Sequence, residues 1–225
     1  MASSFGEGPL MDAPTIPDLT VADLLEQFGP LPLNRIRLDP APGTATEEDV
    51  VRIHLREDRL YELVDGVLVE KTMGLYESYL AALLLRLLGN FVDQHDLGFV
   101  LGADGMVRLA PGLVRIPDVS FMSWKRLGSK RVPRKPMANL APDLAVEVLS
   151  PNNTAREMDR KLHDYFAAGT RLVWYVYPSD HTVKVFTKPG RGTVLREGEA
   201  LQGGKVLPGF ELPLKELFAE PGDSL

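Results

Sequence analysis

The sequence contains no cysteine. That excludes disulfides, thiolate nucleophiles, iron–sulfur clusters and zinc sites built on thiolates. Histidine is scarce: His54, His95, His163 and His181 are the 4 in 225 residues, and no two sit at metal-ligand spacing. A metal in this chain would be held mainly by oxygen, which suits a hard cation such as Mg2+ or Mn2+. An excess of basic residues is also missing. There are 25 Lys and Arg against 31 Asp and Glu, a net charge of -6, which argues against a generic nucleic-acid coat protein. Long apolar runs are absent too. The longest, YLAALLLRLLGNFV at 79–92, is interrupted by Arg86 and falls short of the roughly 18–20 residues that span a bilayer. The N-terminus lacks the basic start and apolar stretch of a signal peptide. The expected compartment is the cytoplasm, with no membrane partner.

What is present reads as a globular protein. With 44% hydrophobic and 25% charged residues the chain can bury a real core. Residues 1–45 read as an N-terminal tail and helical extension: a small-residue tail to 17, a short helix over 20–28 stopped by Gly29-Pro30, and a proline-containing arm. The main domain is expected over 46–220. It opens with a helix over 46–57 behind the N-cap Thr46. Asp65-Gly66 between apolar runs in RLYELVDGVLVEK predicts a hairpin, and GFVLGADGMVRLA predicts a second about Asp104-Gly105. Residues 75–93 are apolar nearly all round and predict a buried helix. VRIPDVSFM (114–122) reads as one strand, and DLAVEVLS (143–150) as a strand buried on both faces. A helix follows, with Thr154 and Glu157 as a capping box and Gly169 as its stop. Two more strands, RLVWYVYP and HTVKVFTKP, and a short terminal helix complete an α/β (α+β) mixed sheet with helices packed on it.

Within this frame a few residues carry chemistry. Glu147 is an acid flanked by Ala145, Val146, Val148 and Leu149, a costly place for a charge unless it is paired or bound to metal. Asp118 follows a proline inside another apolar strand. Convergent carboxylates without Cys or His nearby suit Mg2+ or Mn2+. Lys161 lies at the edge of the buried stripe formed by Met158, Leu162, Tyr165 and Phe166, so its stem can pack while its amine reaches back over the strand ends; the plainer reading pairs it with Glu157. Residues 115–135 hold seven cations, Arg115, Lys125, Arg126, Lys130, Arg131, Arg134 and Lys135, against Asp118 alone. That segment reads either as a phosphate-gripping loop beside the acids or as a solvated loop. A two-carboxylate glycosidase would leave both Lys161 and the basic loop unexplained.

The runs RLYELVDGVLVEK, VRIPDVSF, APDLAVEVLSPNNT, DRKLHDYFAAGTRLVWYVYP and GGKVLPGF, in that order, resemble the bacterial Uma-two family of restriction-endonuclease-like proteins, within the PD-(D/E)XK nuclease superfamily. The resemblance spans roughly 46–220. It implies a core of helix, three-stranded meander, helix and strand, here with an added N-terminal hairpin and helical extension. It implies a Mg2+- or Mn2+-dependent endonuclease that hydrolyses DNA phosphodiester bonds; the alternative is a catalytically inactive nuclease-fold module that binds DNA or protein. Carried over, Asp118 matches the PD acid, Glu147 the E of (D/E)XK, and Glu62 the acid of the YELIDG-like segment. Leu149 stands at the superfamily's lysine position, so that role passes to Lys161. The resemblance thus implies Asp118, Glu147, Lys161 and Glu62 as catalytic residues. Metal ligands would be Asp118 and Glu147, with Glu77, where many relatives carry histidine, as a further metal-site acid. Lys125, Arg126, Lys130, Arg131, Arg134 and Lys135 would grip DNA phosphates. A homodimer is what the family leads one to expect.

Overall fold

Two threonines start the first two helices. Thr20 and Thr46 each accept a hydrogen bond from the backbone N–H three residues on, and the side chains of Asp23 and Asp49 accept in return from the threonine N–H groups. These reciprocal caps open α1 (Val21–Phe28) and α2 (Glu47–Glu57). The computed structural model describes residues 19–220 and 222; the tail expected over 1–17 lies outside them. After α2 come β1 (Tyr61–Val64), β2 (Val67–Glu70), α3 (Leu75–Gln94), β3 (Gly98–Leu101), β4 (Val107–Ala110), β5 (Leu113–Arg115), β6 (Val119–Ser123) and α4 (Trp124–Leu127). The rest is β7 (Leu144–Val148), α5 (Ala155–Ala167), β8 (Leu172–Tyr177), β9 (Thr182–Phe186), β10 (Thr193–Leu195), β11 (Ala200–Gln202), β12 (Glu211–Pro213) and α6 (Leu214–Leu217).

The strands form a four-stranded antiparallel sheet in the order β2-β1-β5-β4, a six-stranded sheet in the order β10-β9-β8-β7-β6-β3, and the small pair β11-β12. In the larger sheet only β7 and β8 run parallel, and α5 makes the crossover between them. Reading α3, then β3-β6-β7, then α5 and β8 gives the restriction-endonuclease-like core of helix, meander, helix and strand. Strand alternation divides the larger sheet's two faces. Val119, Phe121, Leu144, Val146 and Trp174 join the cluster that holds Leu80, Leu84 and Leu88 of α3. Ala145, Val173 and Tyr175 point the other way, into a cluster with Met158, Leu162 and Tyr165 of α5.

The fold departs from the sequence-based expectations at four places. Asp65 and Gly66 both take positive φ, 49° and 74°, and make the predicted hairpin between β1 and β2. Asp104 and Gly105 do not take positive φ, and no hairpin forms: β3 pairs with β6 while β4 pairs with β5. The run 114–122 is two strands in different sheets. Pro117 has no N–H to give a ladder, and the chain leaves the small sheet after Arg115 and enters the large one at Val119. α3 has the length and apolarity of a membrane span, yet it is not buried all round. Its stripe Leu80, Ala81, Leu84, Leu88 and Val92 packs inward, while Leu75 is 91% exposed. The arm before 46 packs on the first hairpin, where Leu24, Phe28, Leu31 and Ile36 share a cluster with Val64, Val67 and Val69. Finally, Thr154 caps α5 by accepting from Glu157 N, but the Glu157 carboxylate turns to Arg35 instead of closing the box.

Candidate active site

The break at Pro117 places Asp118 at the head of β6, where it faces β7. Val119 and Val146 both face α3, so strand alternation turns their neighbours Asp118 and Glu147 to the opposite face, the one that α5 covers. Asp118 N donates to Val146 O at 3.0 Å, and Val148 N donates to Asp118 Oδ2 at 2.6 Å. The chain leaving β2 brings Lys71, whose Nζ lies 2.7 Å from Asp118 Oδ1 and also donates to Ile116 O. α5 covers this face. Lys161 Nζ reaches Glu147 Oε2 at 3.1 Å and Glu62 Oε1 at 3.0 Å, and Tyr165 OH donates to Glu147 Oε1 at 2.5 Å. Glu62 also accepts from Ile116 N at 3.1 Å and from Arg115 Nη1 at 2.8 Å. The other side of that guanidinium donates to Asp164 Oδ2. Glu62, Arg115, Asp118, Glu147 and Lys161 are all at most 5% exposed. Pairing is therefore obligatory here, because an unpartnered buried charge costs several kcal/mol.

The two acids that share Lys161 differ in character. Burial works against ionising Glu62, but the positive charges of Lys161, Arg115 and Lys71 outweigh it and hold its carboxyl well below the usual range. At Glu147 burial prevails over Lys161 and Lys71, and the neighbouring charges of Asp118 and Glu62 add to it, so its carboxyl is raised. Lys161 is disfavoured as a cation by burial, yet Glu147, Glu62 and Glu157 together raise its pKa. Tyr165, buried and beside Glu147, is pushed well above a normal phenol. The pattern is one firmly ionised carboxylate and one readier to hold a proton, with a fixed ammonium between them.

The structure thus brings together Asp118, Glu147, Lys161 and Glu62. It does not bring in Glu77. That acid sits in the first turn of α3 with its carboxylate folded back over Gly74, so close that a Cβ there would collide with Glu77 Oε2. The helix N-terminus accounts for this placement. The basic loop is not beside the acids either. β6 runs from Val119, just after Asp118, to Ser123 and β7 returns from Leu144, so the residues between leave and re-enter at the far end of both strands. Arg115, counted with that loop from sequence, is buried against Glu62 and Asp164. Arg126 is engaged with Asp143 and Gly169 O, and Lys130 pairs with Asp96. Lys125, Arg131, Arg134 and Lys135 are exposed.

Two members of the cluster escape sequence reasoning. Lys71 follows an apolar strand, where a lysine ordinarily marks the return to solvent, and Tyr165 reads as plain core. For a metal, the donor set is right in kind: the carboxylates of Asp118 and Glu147 and the carbonyl of Ile116 are all hard oxygens. Among the described residues no three Asp, Glu, His or Cys side chains are arranged to hold an ion. The Lys71 ammonium already lies against Asp118 and Ile116 O.

Comparison with known proteins covers most of the chain. Residues 47–215 match the profile of the family described as "Uma2: Putative restriction endonuclease". Among solved structures, the chain is similar to "a putative nuclease belonging to DUF820 from Anabaena variabilis ATCC 29413", with a TM-score of 0.64 and 18% identity, over 75% of this chain and 97% of that one. At that identity the likeness speaks for the fold. No curated protein matches the chain.

Proposed function

The chain belongs to the Uma2 family, and from that membership we propose that it is a divalent-metal-dependent endonuclease hydrolysing DNA phosphodiester bonds. The observation that carries this reading is that Asp118 accepts from Val148 N, next to Glu147 in the chain, while Lys161 on the next helix reaches Glu147 on the same face. Asp118 and Glu147 would hold Mg2+ or Mn2+. When bound, such an ion supplies Lewis-acid polarisation of a phosphoryl oxygen. Lys161 presents a positive charge to the phosphate as negative charge develops there. Glu62 and Arg115 keep that ammonium in place, because Glu62 accepts from both. Tyr165 fixes one oxygen of Glu147 and so orients the other.

The test is cleavage of duplex, branched and single-stranded DNA in Mg2+ or Mn2+. Asp118→Asn and Glu147→Gln should each lower the rate by on the order of 10²-fold or more, with native circular dichroism retained. Equal cleavage by wild type and both variants in EDTA would overturn the reading. One observation favours a second reading, a nuclease fold that binds DNA or protein without cleaving. All four carboxylate oxygens of Asp118 and Glu147 already face a protein donor. Calorimetric titration with Mn2+ separates the two, since a pure binding module gives no heat above dilution.

A further inference from the structure

We propose that Lys71 is a resident cation in the metal seat: its ammonium occupies the place beside Asp118 that a divalent ion needs, and its displacement sets the affinity of the site. The inference rests on the metal-dependent reading above and concerns a residue that reading does not use. Lys71 Nζ is held by two oxygens of different kinds, Asp118 Oδ1 at 2.7 Å and the main-chain carbonyl of Ile116. A carboxylate plus a carbonyl is a hard-cation donor pair.

The two lysines of the cluster differ in how they are held. Lys161 stands on α5, a 13-residue helix, and is clamped between two acids. Lys71 stands just beyond the last residue of β2, and residues 71–74 form no helix or strand before α3 begins. Thr72 and Gly74 in that stretch are exposed. Lys71 therefore stands outside regular structure with one carboxylate partner, while Lys161 is held on a helix between two. Two cations cannot share Asp118 Oδ1 without strong repulsion. Ion entry must therefore displace the Lys71 amine from Asp118 Oδ1.

The experiment is calorimetric titration of the full chain with Mn2+ alone, in wild type, Lys71→Met and Lys71→Met/Asp118→Asn. Methionine keeps the stem's bulk and removes the charge. Lys71→Met should bind Mn2+ at least about tenfold more tightly than wild type, and adding Asp118→Asn should abolish that gain. Thermal unfolding gives a second readout. Lys71→Met should melt below wild type in EDTA, where Asp118 loses its partner, and Mn2+ should raise its midpoint by more than it raises that of wild type. If the methionine variant does not fold, Lys71→Gln, which can still donate to Ile116 O, takes its place with the same expectation. Equal or weaker Mn2+ binding by the folded variant, with wild type binding normally, overturns the role of Lys71 and leaves the nuclease reading standing. No binding by either protein overturns both.

Discussion

Glu62 and Glu147 accept from one ammonium and yet respond to acid with opposite sign. Glu62 is depressed below its ordinary value of 4.5. Its contribution to stability is fully present above about that pH and is lost as pH falls through its folded value. Glu147 is raised, so folding becomes costlier as pH rises from 4.5 through its folded value. Glu62→Gln should therefore destabilise the protein near neutrality, by about 3 kcal/mol since Arg115 and Lys161 lose a charged partner. It should also flatten the fall in stability below pH 4.5. Glu147→Gln should cost less at pH 7 and steepen the acid limb. Urea unfolding from pH 7 to pH 2 measures both, and superimposable curves for the two variants would contradict the assignment. At this scale the sequence was partly legible. Glu147 announced itself as an acid in an apolar strand, and Lys161 as a lysine at the edge of a buried stripe. Lys71 gave no signal, because its partners Ile116 and Asp118 lie more than forty positions away and meet it only through the pairing of β1 with β5.

Elements outside the six-stranded sheet hold the geometry of the candidate site. Arg35, in the short helical turn Leu33–Arg35 of the N-terminal arm, donates to Glu70 O, Asn152 O and both oxygens of Glu157. One guanidinium thus ties the end of β2, the loop after β7 and the first turn of α5, the helix that carries Lys161. Both partners are buried, at 7% and 3% side-chain exposure. Arg35→Met should cost about 3–5 kcal/mol by stranding the Glu157 charge, and adding Glu157→Leu should recover most of that loss. A double-mutant cycle by urea unfolding reads the coupling; additive losses would mean that the clamp holds nothing. Periodicity and caps located both α1 and α5, but the local rule assigned Glu157 to its own N-cap, and a partner 122 residues upstream won. The two Asp-Gly pairs carry the same lesson. The dipeptide alone does not decide between a hairpin and a crossing between sheets, and only the pair with both residues at positive φ closes one.

Across the whole molecule the charge is divided by place. The net charge of -6 coexists with a loop whose exposed cations, Lys125, Arg131, Arg134 and Lys135, project from the far end of β6. Five residues of strand separate that end from Asp118, about 17 Å at the usual rise. Under the proposed nuclease reading, a loop rooted there is expected to grip phosphates neighbouring the one at Asp118. It can reach backbone phosphates about five steps away along a strand, at about 3.4 Å per step. Its effect should therefore lie in binding and not in turnover. Replacing those four residues with glutamine should reduce the slope of log affinity against log salt by up to about 0.9 for each duplex phosphate that the loop neutralises in wild type. It should raise KM and leave kcat near wild type. Asp118→Asn should do the reverse, removing turnover while retaining the salt slope, and it provides an uncleaving background in which that slope can be measured. An unchanged salt slope in the quadruple variant would assign the loop to solvent and move the DNA path to another face.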